Sequence, residues 1–203
     1  MTYPTNLVTP EWLAAHLDHP NVVIVDCRFA LADPNLGRQQ YQGGHIPGAV
    51  YMDLNQDLSS PVQTHGGRHP LPDFDMFVRK LEAIGVSSTG PDGPTLVVAY
   101  DASRFAFAAR LWWMLKYLGH EAVAVLDGGW TFWQQQGYPV STDMPAPRQG
   151  HFAPNLQPDW IVDIDYVRRH KDESGVLLVD ARSPERYRGD VEPIDPVAGS
   201  IPG

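Results

Sequence analysis

Hydrophobic positions change period at regular intervals along this chain, and the changes mark an alternation of helices and strands. Trp12, Leu13 and Leu17 lie at helical spacing behind Thr9-Pro10, an N-cap followed by proline at the first helical position. The unbroken β-branched run Val22 to Val25 then ends at Asp26, the pattern of a strand buried on both faces of a parallel sheet. Asn35 to Gln42 reads as a helix stopped by Gly43-Gly44, and Ala49 to Met52 as a second short strand. Asp57 to Pro72, rich in Ser, Pro, Gly and His, reads as a long loop. Phe74, Phe77, Val78, Leu81 and Ile84 return to helical spacing before a Gly85 stop. Thr95 to Tyr100 follows as a strand, Ser103 to Leu118 as a long helix closed by Gly119, Ala122 to Leu126 as a strand, and Trp130 to Gln136 as a helix closed by Gly137. This order predicts an α/β fold: a parallel sheet with right-handed crossovers and helices on both faces.

Beyond Tyr138 the periodicity fades into Pro, Asn, Gln and Asp, and then the opening pattern starts again. Asp26 and Arg28 recur as Asp180 and Arg182, and Ile46-Pro47-Gly48 recurs as Ile201-Pro202-Gly203. At the same offset Leu7 falls on Ile161, Trp12 on Tyr166, Leu13 on Val167 and His16 on His170. A period this long indicates duplicated domains rather than solenoid repeats. The expected organisation is one complete domain over 1–138, a linker over 139–160, and the start of a second, incomplete copy over 161–203. That copy supplies a helix, Ile164 to His170, and a strand, Val176 to Val179, too little apolar surface to fold by itself.

Charge narrows the function classes. A net charge of -9 leaves no basic stripe to neutralise phosphates, which argues against nucleic acid as a partner. No apolar stretch is long enough to span a membrane, and the amino terminus lacks the charged start and apolar run of a secretory signal. One cysteine excludes an internal disulfide framework and fits a reducing compartment, so a cytoplasmic location is expected.

In an open α/β sheet ligands bind outside the carboxyl ends of the strands, so the strand exits are where chemistry is expected. At the first exit Cys27 sits inside an apolar run with no neighbouring base, and it reads as an inert, buried thiol. Asp26 and Arg28 beside it read as an ion pair that fixes the strand end. The second exit, Tyr100 to Phe107, leads from a strand through a short loop into the long helix, the setting of an anion cradle built from backbone N–H groups. A cysteine there would be a thiolate; the chain has Asp101, an anion with little nucleophilic power, read as an N-cap rather than a catalytic group. His65 and His69 lack further ligands at metal spacing and read as a solvated loop, and Trp112 and Trp113 as core. Phe105 and Phe107 either wall an active site or pack against the second domain.

The pairing of VDCR and VDAR with GGHIPGAV and AGSIPG, the segment AYDASRFAFAARLWWMLKYLGH and the following VLDGGWTFW resemble a tandem-domain rhodanese, a thiosulfate or 3-mercaptopyruvate sulfurtransferase. The resemblance covers essentially the whole chain. It implies a catalytically silent first domain with an acidic residue, here Asp101, where the second domain carries the active cysteine. It also implies transfer of a sulfane sulfur through a cysteine persulfide to cyanide or a thiol, with no metal or organic cofactor. Arg186 matches the arginine that binds the small anionic sulfur donor, and Asp180 and Arg182 match the pair that supports the active loop. By the repeat offset the counterpart of Asp101 lies about fifty residues beyond Gly203, so the active cysteine is expected outside this chain, on a missing segment that could also act as a separate partner chain. The 203 residues alone are then expected to be inactive. Where mercaptopyruvate enzymes of the family place a second arginine, this chain has Glu192-Pro193-Ile194-Asp195-Pro196, which leans the expectation towards thiosulfate. Ser200 stands where the first copy has His45. A non-catalytic rhodanese-like module that only binds partners or anions is the other class.

Overall fold

The computed structural model describes residues 6–64 and 66–201. His65, Pro202, Gly203 and the first five residues of the expected 1–138 domain lie outside the described residues. The chain divides into two compact units between Gln157 and Pro158, and each is described by itself.

The first unit is built on a five-stranded, all-parallel sheet in the order β1-β5-β4-β2-β3. Its strands are β1 (Leu7–Val8), β2 (Val22–Asp26), β3 (Val50–Tyr51), β4 (Leu96–Tyr100) and β5 (Val123–Leu126). Its helices are α1 (Pro10–Ala14), α2 (Leu36–Gly43), α3 (Phe74–Ala83), α4 (Ala108–Tyr117) and α5 (Gly129–Gln135). Only β1 has no counterpart among the expected strands, because two residues are too few to show a period.

β2, β4 and β5 are buried along their whole length, which requires apolar neighbours on both faces. Val23, Val25, Val97, Ala99, Val123 and Val125 point into one core with Phe77 and Leu81 of α3 and Leu111, Met114 and Leu115 of α4. Val22, Ile24, Leu96, Val98, Ala124 and Leu126 point the other way, against Leu13 of α1 and Trp130 and Trp133 of α5. Helices therefore cover both faces. Thr9 caps α1 as expected, its hydroxyl accepting the Trp12 N–H at 3.2 Å, and Asp73 caps α3 by accepting the Met76 N–H at 2.9 Å.

The stretch expected to link the domains runs along the first unit as far as Gln157. Ser141 bridges His45, Gly150 N–H donates to the Glu82 carbonyl at 2.7 Å, and Arg148 Nη1 donates to the Val22 carbonyl at 2.9 Å. Phe152 enters the core at 3% exposure. A strap that contributes one apolar side chain at a time carries no periodicity, so its sequence resembles a linker.

The carboxyl end of the sheet is tied by one polar network. The register pairs Asp26 with Tyr100, so both side chains leave the same face at the ends of adjacent strands. Arg28 Nε and Nη2 donate to the Asp26 carboxylate, the shortest bond at 2.6 Å, and Nη2 also donates to the Gly44 carbonyl at 2.7 Å. Tyr100 hydroxyl donates to Asp26 Oδ2 at 2.7 Å and accepts the Ile46 N–H at 3.3 Å. Arg28 stacks over the Trp130 ring at 4.2 Å. Cys27 follows Asp26, fully buried, and its thiol is pushed well up, first by burial and then by the charges of Asp26, Asp101 and Asp57.

In the second unit a single 3-10 turn (Pro158–Trp160) precedes α6 (Ile164–His170), which matches the expected helix, and α7 (Pro184–Arg188). The expected strand at Val176 to Val179 is not formed. Leu177 and Val179 are 83% and 80% exposed, and no strand lies beside them among the described residues, so the backbone has no ladder to join.

Two outcomes test this description. Asp26→Asn or Arg28→Ala leaves a buried partner uncompensated and costs about 3–5 kcal/mol, read as a lower urea midpoint at unchanged slope; a loss below about 1 kcal/mol contradicts the network's role. Native Cys27 reacts with iodoacetamide slowly, without acceleration up to about pH 9, and rapidly once the chain is denatured.

Candidate active-site loops

The exit of β4 builds a closed anion cradle, and its occupant belongs to the chain. Asp101 Oδ1 accepts the N–H groups of Ser103 at 2.8 Å and Phe105 at 3.1 Å, and Oδ2 accepts those of Phe107 at 2.8 Å and Ala108 at 2.9 Å. The carboxylate is 1% exposed. Asp101 is thus more than the N-cap expected: the helix expected from Ser103 begins at Ala108, and residues 102–107 wrap around the carboxylate. To do so Arg104 and Phe105 adopt φ of 54° and 69°, the only non-glycine residues with positive φ among those described. Left-handed backbone costs about 1–3 kcal/mol per residue and persists where its surroundings over-determine it, here through four converging N–H groups.

Gly129 completes the close packing on the other side. Its φ is +56°, and a Cβ there would stand 2.4 Å from the Asp101 carbonyl, which accepts the Trp130 N–H at 2.9 Å. A cavity of about 260 Å3 opens beside the loop, lined by Asp101, Ala102, Arg104, Phe105, Gly129 and Thr131. Phe107 meets Phe29 edge-on at 5.5 Å, and Phe105, Trp112 and Trp113 pack half-buried against the core of the first unit.

Arg110, which sequence reasoning passed over, fixes the long loop. From α4 its Nε donates to the Leu58 carbonyl at 2.9 Å and its Nη2 to the carbonyls of His69 and Pro70, both at 3.0 Å. Phe29 stacks edge-on against His69 at 6.4 Å. Burial lowers the pKa of His69, helped by the charges of Arg68 and Arg110. Its only sequence signal is a cation on the otherwise apolar side of a helix. No group of three His, Cys, Asp or Glu side chains that could hold a metal ion is gathered among the described residues.

The second unit repeats the strand-end pair atom for atom. Arg182 Nε donates to both Asp180 oxygens at 3.0 Å, Nη2 donates to Oδ2 at 2.6 Å, and Nη2 also reaches the Gly199 carbonyl at 2.7 Å. The Arg182 guanidinium and N–H hold Asp180 down to about 2. Arg186 sits close by on α7, but it is not a free cation: Nε and Nη2 grip Glu192 at 2.8–3.1 Å, and Nη2 also donates to Asp195 at 2.8 Å. Glu192 further accepts the N–H groups of Ile194 and Asp195, and it lies at about 2, held there first by Arg186. Glu192 opens the stretch that lacks the second arginine, and the structure makes it the node that joins Arg186 to Arg182, 3.4 Å away.

Residues 9–136 match the rhodanese-like domain family. Over 199 residues the chain is 43% identical to a Pseudomonas aeruginosa protein named "Probable 3-mercaptopyruvate sulfurtransferase", covering 97% of this chain and 68% of that one. It is 33% identical over 210 residues to the 3-mercaptopyruvate sulfurtransferase of Homo sapiens, covering 97% and 67%. Among solved structures, the 3-mercaptopyruvate sulfurtransferase from Leishmania major gives a TM-score of 0.81 at 29% identity, over 98% of this chain and 54% of that chain. The chain therefore spans 68% of the first of these relatives and 54% of the Leishmania protein. With its parallel sheet covered by helices on both faces and its anion-holding loop at the exit of β4, the chain belongs to the rhodanese-like sulfurtransferase family.

Proposed function

We propose that these residues form the silent first domain and the beginning of the second domain of a tandem sulfurtransferase acting on 3-mercaptopyruvate. The observation that carries this reading is the cradle at Asp101: four N–H groups stabilise a negative charge where a thiolate would sit, but the residue supplied is a carboxylate. Cys27, the single cysteine, is fully buried with its thiol pushed up, so it is unsuited to carry sulfur. The persulfide cysteine is accordingly supplied by a segment outside these 203 residues, joined to them or acting as a separate chain. The repeated Asp–Arg–carbonyl arrangement at Asp180, Arg182 and Gly199 supports the duplication.

In the reaction a cysteine thiolate attacks the sulfur of 3-mercaptopyruvate, and the C–S bond breaks. The electron pair leaves on the pyruvate enolate, which takes a proton, and the cysteine holds a persulfide. Cyanide or a thiolate then attacks the outer sulfur and returns the cysteine thiolate. Arg186 binds the carboxylate of the donor through Nη1, while the grip of Glu192 and Asp195 on Nε and Nη2 holds the guanidinium in one orientation. Mercaptopyruvate is preferred over the expected thiosulfate because relatives spanning nearly the whole chain carry that name. Thiosulfate is the second reading, favoured by the stretch Glu192-Pro193-Ile194-Asp195-Pro196, which holds no arginine where the resemblance expects another.

The 203-residue chain alone forms neither thiocyanate nor pyruvate from cyanide and either donor; with a cysteine-bearing carboxyl-terminal segment restored, turnover with mercaptopyruvate exceeds that with thiosulfate. Thiocyanate from the chain alone makes Cys27 the carrier and rejects the proposal, and a preference for thiosulfate selects the second reading. In the restored enzyme Arg186→Ala raises KM roughly ten- to hundredfold with a smaller effect on kcat. Asp101→Cys places a thiol in the cradle, and iodoacetamide labels it at neutral pH far faster than Cys27. Equal labelling of the two positions removes the cradle argument.

A further inference from the structure

The stretch that lacks the second arginine carries charge of the other sign. It supplies Glu192 and Asp195, and both turn back onto the arginine assigned to the donor. Glu192 is only 5% exposed and accepts from Arg186 Nε and Nη2 at 2.8–3.1 Å, from Arg182 Nη1 at 3.4 Å, and from the N–H groups of Ile194 and Asp195. Asp195 accepts a further bond from Arg186 Nη2 at 2.8 Å. Arg182 is already matched by Asp180, which it grips at 2.6–3.0 Å. Held at about 2, Asp180 and Glu192 both stay ionised at neutral pH. Three carboxylates thus meet two guanidiniums, and the cluster has a negative charge in excess before any donor arrives.

The two donors differ in charge. 3-Mercaptopyruvate with its thiol protonated is a monoanion, whereas thiosulfate is a dianion. The Arg186 guanidinium has Nε and Nη2 engaged, and its charge is already opposed by two carboxylates. Repulsion from the excess negative charge grows in proportion to the charge of the donor, so a dianion suffers twice what a monoanion does. We propose that Glu192 is a specificity-determining residue: together with Asp195 it restricts Arg186 to monoanionic donors and turns dianions away. The inference rests on the reading above and deepens it, because it gives the preference for mercaptopyruvate a physical cause in this chain's own residues. Absence of an arginine from this stretch favours thiosulfate only while its carboxylates are left out of account.

The test uses the protein with its carboxyl-terminal segment restored, pyruvate as the monoanionic probe and sulfate as the dianionic one, each followed by the Arg186 Nε–H resonance. The parent binds pyruvate more tightly than sulfate. Glu192→Gln, which keeps the shape and removes the charge, improves sulfate relative to pyruvate by about tenfold. Asp195→Asn moves the ratio the same way. Glu192→Asp keeps the charge and with it the parent's ratio, even where both affinities fall. Asp190→Asn, which removes an exposed charge paired with Arg188, alters the ratio by less than about twofold. A ratio unchanged in both Glu192→Gln and Asp195→Asn overturns the proposal, and so does an equal change in Asp190→Asn. A parent that binds sulfate more tightly, or that shows no shift with either probe, overturns it as well. Neither probe transfers sulfur, so these outcomes stand apart from turnover, and the turnover assay decides the sulfurtransferase reading separately.

Discussion

A buried carboxylate–guanidinium pair at the end of β2 is the interaction on which the rest of the first unit depends. Asp26 and Arg28 are removed from water at a cost of several kcal/mol per ion, and only a full set of partners offsets it. That set reaches in three directions: Tyr100 from β4, the Gly44 carbonyl after α2, and the Trp130 ring at the start of α5. Each partner sits at the carboxyl end of the sheet, so satisfying one ion pair aligns the places from which the functional loops depart. The loop after β4 inherits this alignment through Tyr100, the residue immediately before Asp101.

The second constraint is a negative charge at position 101. Four N–H groups converge on one point, and without an anion there they would repel one another and lack partners. The carboxylate thus holds residues 102–107 in a course that includes the left-handed backbone of Arg104 and Phe105, which those two residues would not otherwise adopt. In the proposed enzyme the same geometry around a sulfur would stabilise a thiolate, and one backbone arrangement then serves a structural role in one copy and a chemical role in the other.

Much of this was legible in the sequence, for identifiable reasons. Val22 to Val25, Leu96 to Tyr100 and Val123 to Leu126 announce buried strands because both faces demand apolar side chains, and Thr9-Pro10 announces α1 through local capping alone. The Asp26–Arg28 pair could be read from two residues of spacing. Long-range commitments could not. Arg110 binds three carbonyls from 40 to 52 positions away, and the strap after Tyr138 gains order from partners such as Glu82 and Val22. The apolar run at Val176 to Val179 looks like a strand by composition, yet a strand exists only when a second backbone lies beside it. Arg186 was found by motif, whereas its neutralisation by Glu192 and Asp195 depends on how the loop after α7 folds back.

In the proposed tandem enzyme, the aspartate in the cradle also bears on how two copies of one domain can diverge. A thiolate and a carboxylate present the same charge to the same four donors, so exchanging one for the other abolishes sulfur chemistry while leaving the loop's electrostatic keystone in place. Loss of catalysis in one copy is then nearly free of folding cost, and that copy can drift towards other duties, such as shielding or shaping its sibling, without passing through an unstable ancestor.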